Sequence, residues 1–234
     1  MIKMKGLRLP LLIIFLVLLI DQTFKIYIKT HFLLGEEHVF TKWFIIHFIE
    51  NPGMAFGMQF SGDWGKLILS LFRIVAVGFI SWYMVKLVNS NAHRGLVVCV
   101  ALIVAGAAGN IIDSAFYGLI FSESGYQMAT LFPSGGGYAG FLHGKVVDML
   151  YFPIFNGTFP QWLPVWGGER YLFFSPVFNI ADSSITTGVI SILVFQHSFF
   201  KQKKKQDEVV SEAVEEGITT SEKSDNSEEA ENQI

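Results

Sequence analysis

Asp182 stands at the mouth of a long apolar segment, "FNIADSSITTGVISILVFQHSFF", Phe178 to Phe200. A carboxylate beside hydrocarbon is costly, so it needs a reason. One reason is local: Asn179 can cap a helix start, and Asp182, three residues on, falls at N3 near the positive end of the helix dipole. Capping does not explain the chain's other polar residues, Asp21 in "DQTFK", Asn51 in "ENPG", Asn110 and Asp113 in "GNIID", and Asp148 in "KVVDML". Carboxylates grouped with amides suit acid–base chemistry. Two carboxyl groups a few Å apart cannot both ionise, so one acts as a base towards water while the other acts as an acid towards a carbonyl. The two then titrate as a coupled pair, and the proton belongs to neither alone.

Other chemistries have less support. There is no HExxH, and His31, His38, His47, His93, His143 and His197 are scattered, so neither a metal nor another cofactor is expected. The single cysteine, Cys99, lies inside an apolar run with no histidine at its depth, which argues against a thiol nucleophile. A Ser–Lys pair stays open, although no serine stands out with a lysine at its level.

The elements that must position these groups are membrane spans. The 234 residues are 51% hydrophobic and 15% aromatic, with apolar residues bunched in long runs, which excludes an ordinary soluble domain. The net charge of −3 misleads, because residues 201–234 hold 10 of the 20 acids. The remaining body is mildly basic without a block suited to tracking nucleic acid, so no nucleic-acid partner is expected. Four segments are long and apolar enough to cross a bilayer: about 9–27, 66–88, 95–112 and 179–200. The first resembles a signal peptide in its basic start, but no small-x-small site follows, so it reads as a retained span. The fold class expected is therefore an all-α membrane protein of four transmembrane helices, with a small β-rich surface subdomain and an interfacial loop or helix on the outer face.

Basic residues set the orientation. Lys3, Lys5 and Arg8 precede the first span, Lys86 and Arg94 flank the second turn, and Lys201, Lys203, Lys204 and Lys205 follow the fourth. All lie on one side if both termini are cytoplasmic, and the loops at about 28–65 and 113–178 then face outward. In the first loop, "HVFTKWFIIHFIENPGMAFGMQF" (38–60) predicts strands at the membrane surface. In the second, Trp162, Trp166 and Tyr171 among prolines predict a segment lying in the interface. "GGGYAG" (135–140) matches GxGxxG formally but lacks a strand-to-helix setting and reads as a loop. Residues 201–234 are expected to form a disordered cytoplasmic tail, its lysines on anionic headgroups.

With this topology, Asp21, Asn51, Asn110, Asp113, Asp148, Asn179 and Asp182 fall near one plane at the outer face. Asp21 can pair with Lys25 one turn later, a reading that competes evenly with a role in a site. Asp21 and Asp113 are expected at C-terminal helix ends, where the dipole disfavours acids and a task or partner is needed. Arg73, two turns inside the second span, is explained first by snorkelling and second by pairing with these acids.

"DQTFK" (21–25), "ENPGMAFG" (50–57), "GNIID" (109–113), "VVDML" (146–150) and "FNIAD" (178–182) together resemble the lipoprotein signal peptidases (signal peptidase II), the aspartic peptidases of bacterial inner membranes. The motifs occur in family order, and the resemblance runs from about residue 8 to 200. It implies a catalytic dyad at Asp148 and Asp182, supported by Asp21, Lys25, Asn51, Asn110, Asp113 and Asn179. It implies hydrolysis just before a diacylglyceryl-modified cysteine in prolipoprotein signal peptides, with membrane lipid as the other partner. It also implies a multi-pass inner-membrane location with the site near the outer leaflet. There are departures. Ser114 follows Asp113 where the family usually has Arg, leaving Lys145 or Arg73 as substitutes, and Met54 stands where a small residue is favoured. The stretch between Asp148 and Asn179 reads as an insertion. The rival reading is a small proton- or cation-coupled transporter, which would spread acids through the membrane depth and show broken helices or repeats.

Overall fold

A computed structural model describes residues 4–52, 62–173, 176–199 and 201. Helix α1 (Met4–His31) leads to an antiparallel pair, β1 (Glu37–Thr41) and β2 (Phe44–Asn51). Helix α2 (Gly62–Asn89) turns sharply into α3 (Arg94–Ile112). The chain then continues through a π-helical turn, Asp113–Tyr117, and a short α4 (Gly118–Ile120). After a long loop come β3 (Val146–Tyr151), a hairpin of β4 (Phe155–Thr158) and β5 (Arg170–Phe173), β6 (Val177–Phe178), and a helix over 180–199, here α5.

Among the described residues, three helical segments have the length and apolarity to cross a membrane: Gly6–His31, Gly65–Asn89 and Arg94–Ile120. Their outer faces leave Leu12, Phe15, Phe72, Val75 and Phe79 largely exposed, which only a lipid solvent tolerates in such number. The chain is thus a membrane protein of several long apolar helices carrying a small open β-sheet.

Two observations correct the expected helix ends. The first helix does not stop near residue 27 but runs to His31, and the third continues without a break in helicity to Ile120. Asp21 and Asp113 are therefore inside helices, not at C-terminal ends, and the dipole argument for them fails. Their carboxylates are explained instead by side-chain partners, described below.

One apolar cluster lies where Leu7 of α1, Val88 of α2, Leu96 of α3 and Phe199 of α5 converge, and a second joins Ile28 of α1 to Phe48 of β2, Met149 of β3 and Phe121. Farther along, α3 meets α5 through small residues. A Cβ on Gly106 would stand 2.1 Å from the Ala181 carbonyl oxygen, so only glycine permits this approach. Ser184 Oγ donates to the Leu102 carbonyl at 2.8 Å across the same contact.

The sheet has the order β1-β2-β3-β6, all neighbours antiparallel, so the expected strands in the first outer loop are present at 37–41 and 44–51. Residues 53–61, including Met54 and most of "ENPGMAFG", lie outside the described residues, as does 202–234 of the expected tail. "GGGYAG" is a loop of turns and bends. The stretch that reads as an insertion forms the β4–β5 hairpin, whose connection leaves Trp162 78% and Trp166 54% exposed.

Candidate active site

Asp21, Lys25 and Lys29 recur every four residues on the buried face of α1, each fully buried. Lys25 Nζ binds Asp21 Oδ2 at 2.9 Å, the local pair expected from sequence. It also binds Asp113 Oδ2 at 2.8 Å and donates to Asn110 Oδ1 at 2.9 Å, so one ammonium ties α1 to α3. Asp21 Oδ1 accepts the Ala181 backbone N–H at 2.9 Å, which satisfies a free donor in the first turn of α5. Asp113 reaches β3 by accepting the Val147 N–H at 3.3 Å.

Gln22 went unremarked in the sequence although it follows Asp21 in the first motif. Its amide donates to Asp113 Oδ1 at 2.9 Å and to Asp21 Oδ2 at 3.1 Å, while Tyr117 Oη donates to its Oε1 at 3.1 Å. A Cβ on Gly109 would meet Asp21 Oδ2 at 2.8 Å, so this glycine makes room for the acid.

At the start of α5 the expected capping arrangement is present and reciprocal. The Asp182 N–H donates to Asn179 Oδ1 at 2.9 Å, and Asn179 N–H approaches Asp182 Oδ2 at 3.4 Å. The same Asn179 side chain donates to Asp148 Oδ1 at 2.7 Å and to Asn110 Oδ1 at 3.1 Å. Asn110 in turn donates to Asp182 Oδ1 at 2.7 Å. Two amides thus bridge Asp148 on β3 and Asp182 on α5, and the Asn51 side chain adds a further hydrogen bond to Asp148 from β2. Every residue singled out from the sequence as a site candidate, including Lys25, belongs to this one constellation.

Burial pushes the Asp148 carboxyl up to about 7, and the nearby Asp182 carboxylate adds to the rise. Hydrogen bonds from Asn179 and Asn51 and the charge of Lys25 oppose it without cancelling it. Arg73 on α2 is half-buried and acts electrostatically on both Asp182 and Asp148, which favours pairing over snorkelling alone. Of the two substitutes considered for the cation absent at Ser114, Arg73 lies by the acids. Lys145 is committed elsewhere, to Glu50 at 3.2 Å and to Glu123.

A serine does stand at a lysine's level, contrary to the reading of the sequence. Lys29 Nζ donates to Ser124 Oγ at 2.8 Å, both groups buried. Ser124 Oγ–H in turn donates to Glu50 Oε1 at 2.7 Å, the carboxylate with which Lys29 is ion-paired, so the serine proton points to Glu50 and not to the lysine. The arrangement is therefore not that of a serine nucleophile donating to a lysine base.

The fold and this cluster define a class: a polytopic membrane protein with two carboxyl groups coupled through amides in a buried polar site. Residues 13–199 match the family model described as Signal peptidase (SPase) II. A lipoprotein signal peptidase of Porphyromonas gingivalis is 56% identical over 183 residues, covering 78% of this chain and 80% of that protein. One from Amoebophilus asiaticus is 35% identical over 191 residues, covering 80% and 77%. A bacterial membrane enzyme solved by the in meso method at 1.9 Å superposes with a TM-score of 0.51 at 26% identity, covering 79% of this chain and 90% of that one. The chain belongs to the signal peptidase II family, the aspartic peptidases that remove signal peptides from prolipoproteins. That membership displaces the transporter reading.

Proposed function

We propose that Asp148 and Asp182 are the catalytic dyad, and that they hydrolyse the peptide bond just before a diacylglyceryl-modified cysteine. The observation that carries this reading is the amide bridge through Asn179 and Asn110, which holds the buried Asp148 and the half-buried Asp182 in one electrostatic unit. Because burial and its neighbour push Asp148 to about 7, the pair retains one proton into the neutral range. The ionised carboxyl takes a proton from water as the water oxygen attacks the scissile carbonyl. The protonated one gives its proton to the carbonyl oxygen, and the proton taken from water then passes to the departing amine.

In this reading Asp21, Lys25, Asp113 and Asn51 hold the bridge in place, and Arg73 tempers the negative charge. Four spans, α5 included, place both termini in the cytoplasm of a bacterial inner membrane and the dyad near its outer leaflet. The convergence of Leu7, Val88, Leu96 and Phe199 supports this, because it brings Arg8, Lys86, Arg94 and Lys201 to the end opposite the dyad. At an outer interface a substrate helix can unwind and meet water while its lipid chains stay in the bilayer. The test is incubation of the purified protein with lipidated and unlipidated precursor. Only the lipidated form should be cleaved, and Asp148→Asn or Asp182→Asn should each abolish cleavage in folded protein. Full activity in either variant removes the dyad assignment.

A further inference from the structure

Glu50 precedes Asn51 on β2, and it is buried among charges the dyad does not use. Its Oε1 is ion-paired with Lys29 of α1 and accepts Ser124 Oγ–H at 2.7 Å. Its Oε2 lies 3.2 Å from Lys145 Nζ, an ion pair without hydrogen-bond alignment. Burial alone would raise Glu50, but Lys29, Ser124 and Lys145 outweigh it and hold the carboxyl below its ordinary range. Glu50 therefore stays ionised and is no proton donor at neutral pH.

The strand register says what such an anchor does. Ile49 lies opposite Asp148, Glu50 opposite Val147, and Asn51 opposite Val146. Side chains alternate along a strand, so Ile49, Asn51 and Asp148 share one face of the sheet and Glu50 and Val147 the other. Asn51 thus meets Asp148 on the site face, while Glu50 fastens the same strand end from behind, to α1 and to the loops that carry Ser124 and Lys145.

We infer that Glu50 is a positioning residue for the proposed dyad: pinned by Lys29, Ser124 and Lys145, it fixes the end of β2 so that Asn51 can donate to Asp148. The inference rests on the dyad reading. Asn51 stabilises the carboxylate form of Asp148, so losing that bond makes the pair hold its shared proton to higher pH. The other groups acting on Asp148 are Asp182 and Asn179 at α5, Lys25 of α1, Arg73 of α2, and Asp113, which binds the adjacent Val147 N–H. None of them is altered by substituting Glu50.

The experiment is the pH–rate profile for cleavage of a synthetic lipidated precursor peptide in detergent, with thermal unfolding as a check on folding. Glu50→Gln should lower kcat about tenfold with KM within about twofold, and move the alkaline limb upward by about one pH unit. Asn51→Ala should move the limb equally, and the double variant should add nothing. Glu50→Asp, which keeps the charge, should recover most of the wild-type profile. A folded Glu50→Gln with the wild-type limb overturns the inference, as do additive shifts in the double variant. Failure of both Glu50 variants to fold also overturns it, since the role is then purely structural. A fully active Asp148→Asn would instead bring down the dyad itself, so the two failures are distinguishable.

Discussion

Two charge clusters sit side by side along β2 and β3, and they are balanced differently. Around Glu50, two acids (Glu50 and Glu123) face two lysines (Lys29 and Lys145), each ammonium in direct contact with a carboxylate. One residue along the strand, the cluster that Asn51 joins sets four acids (Asp21, Asp113, Asp148 and Asp182) against Lys25, with Arg73 acting on the last two. A compensated cluster keeps its groups ionised and serves as a fastening. An under-compensated one must keep a proton or take up a cation, and a retained proton between two carboxyls is what hydrolysis uses.

The largest break in this comparison comes from neutralising the under-compensated side. Asp148→Asn and Asp182→Asn should each reduce cleavage by about a thousandfold or more, the scale of lost general acid–base catalysis. Next comes the one ammonium that both Asp21 and Asp113 share. Lys25→Met leaves two buried carboxylates without their counter-ion, and should cost about 3–5 kcal/mol, read as loss of monomeric protein after detergent extraction or a sharply lowered Tm. If Lys25→Met is as stable as wild type, the ion pairs at 2.8 and 2.9 Å do not hold α1 to α3.

How far the sequence reached depended on distance along the chain. The Asn179–Asp182 cap was legible because both partners lie within one helical turn, where residue type and spacing determine the bond. The long apolar runs were legible from composition, and with them the common level of the polar residues. The helix ends were not. "TFKIYIKT" keeps a helical pattern past Asp21, and the π-turn at Asp113–Tyr117 carries the third helix on, so two acids taken for helix termini are interior groups. The Glu50 cluster was hidden for another reason. Its bonds join residues 21, 74 and 95 positions apart, and no local rule pairs them. Gln22 was missed because an amide beside an acid looks unremarkable until Tyr117 and Asp113 close around it.

A smaller effect, of opposite sign, sharpens the contrast. Asp148 is pushed from its ordinary 3.8 to about 7 by burial and by Asp182, so the folded protein binds a proton that the unfolded chain has released. The stability this proton confers is fully present below about pH 4 and is lost as pH rises through about 7. Asp148→Asn removes a carboxyl that must otherwise ionise while buried, and asparagine can still accept from Asn179. The inactive variant should therefore be more stable than wild type at pH 8, by on the order of 2–4 kcal/mol at about 1.4 kcal/mol per pH unit, and close to it below about pH 4. Equal Tm values for the two proteins at pH 8 would mean that the pair carries no such penalty.

The smallest effect belongs to the rim of the balanced cluster. Glu123 is 58% exposed and Lys145 28%, so their attraction is screened by water and weakened by the entropy of two long side chains. Burial would lower Lys145, but Glu123 and Glu50 together hold it above its ordinary range, so it stays charged whether or not Glu123 is present. Glu123→Gln should then change stability by less than about 1 kcal/mol and leave cleavage within about twofold, with the effect shrinking further in high salt. The two acids bind the same lysine, yet only Glu50 is buried and shares a strand end with Asn51. A Glu123→Gln variant as impaired as Glu50→Gln would mean that the charge on Lys145, not the anchoring of β2, is what the cluster supplies.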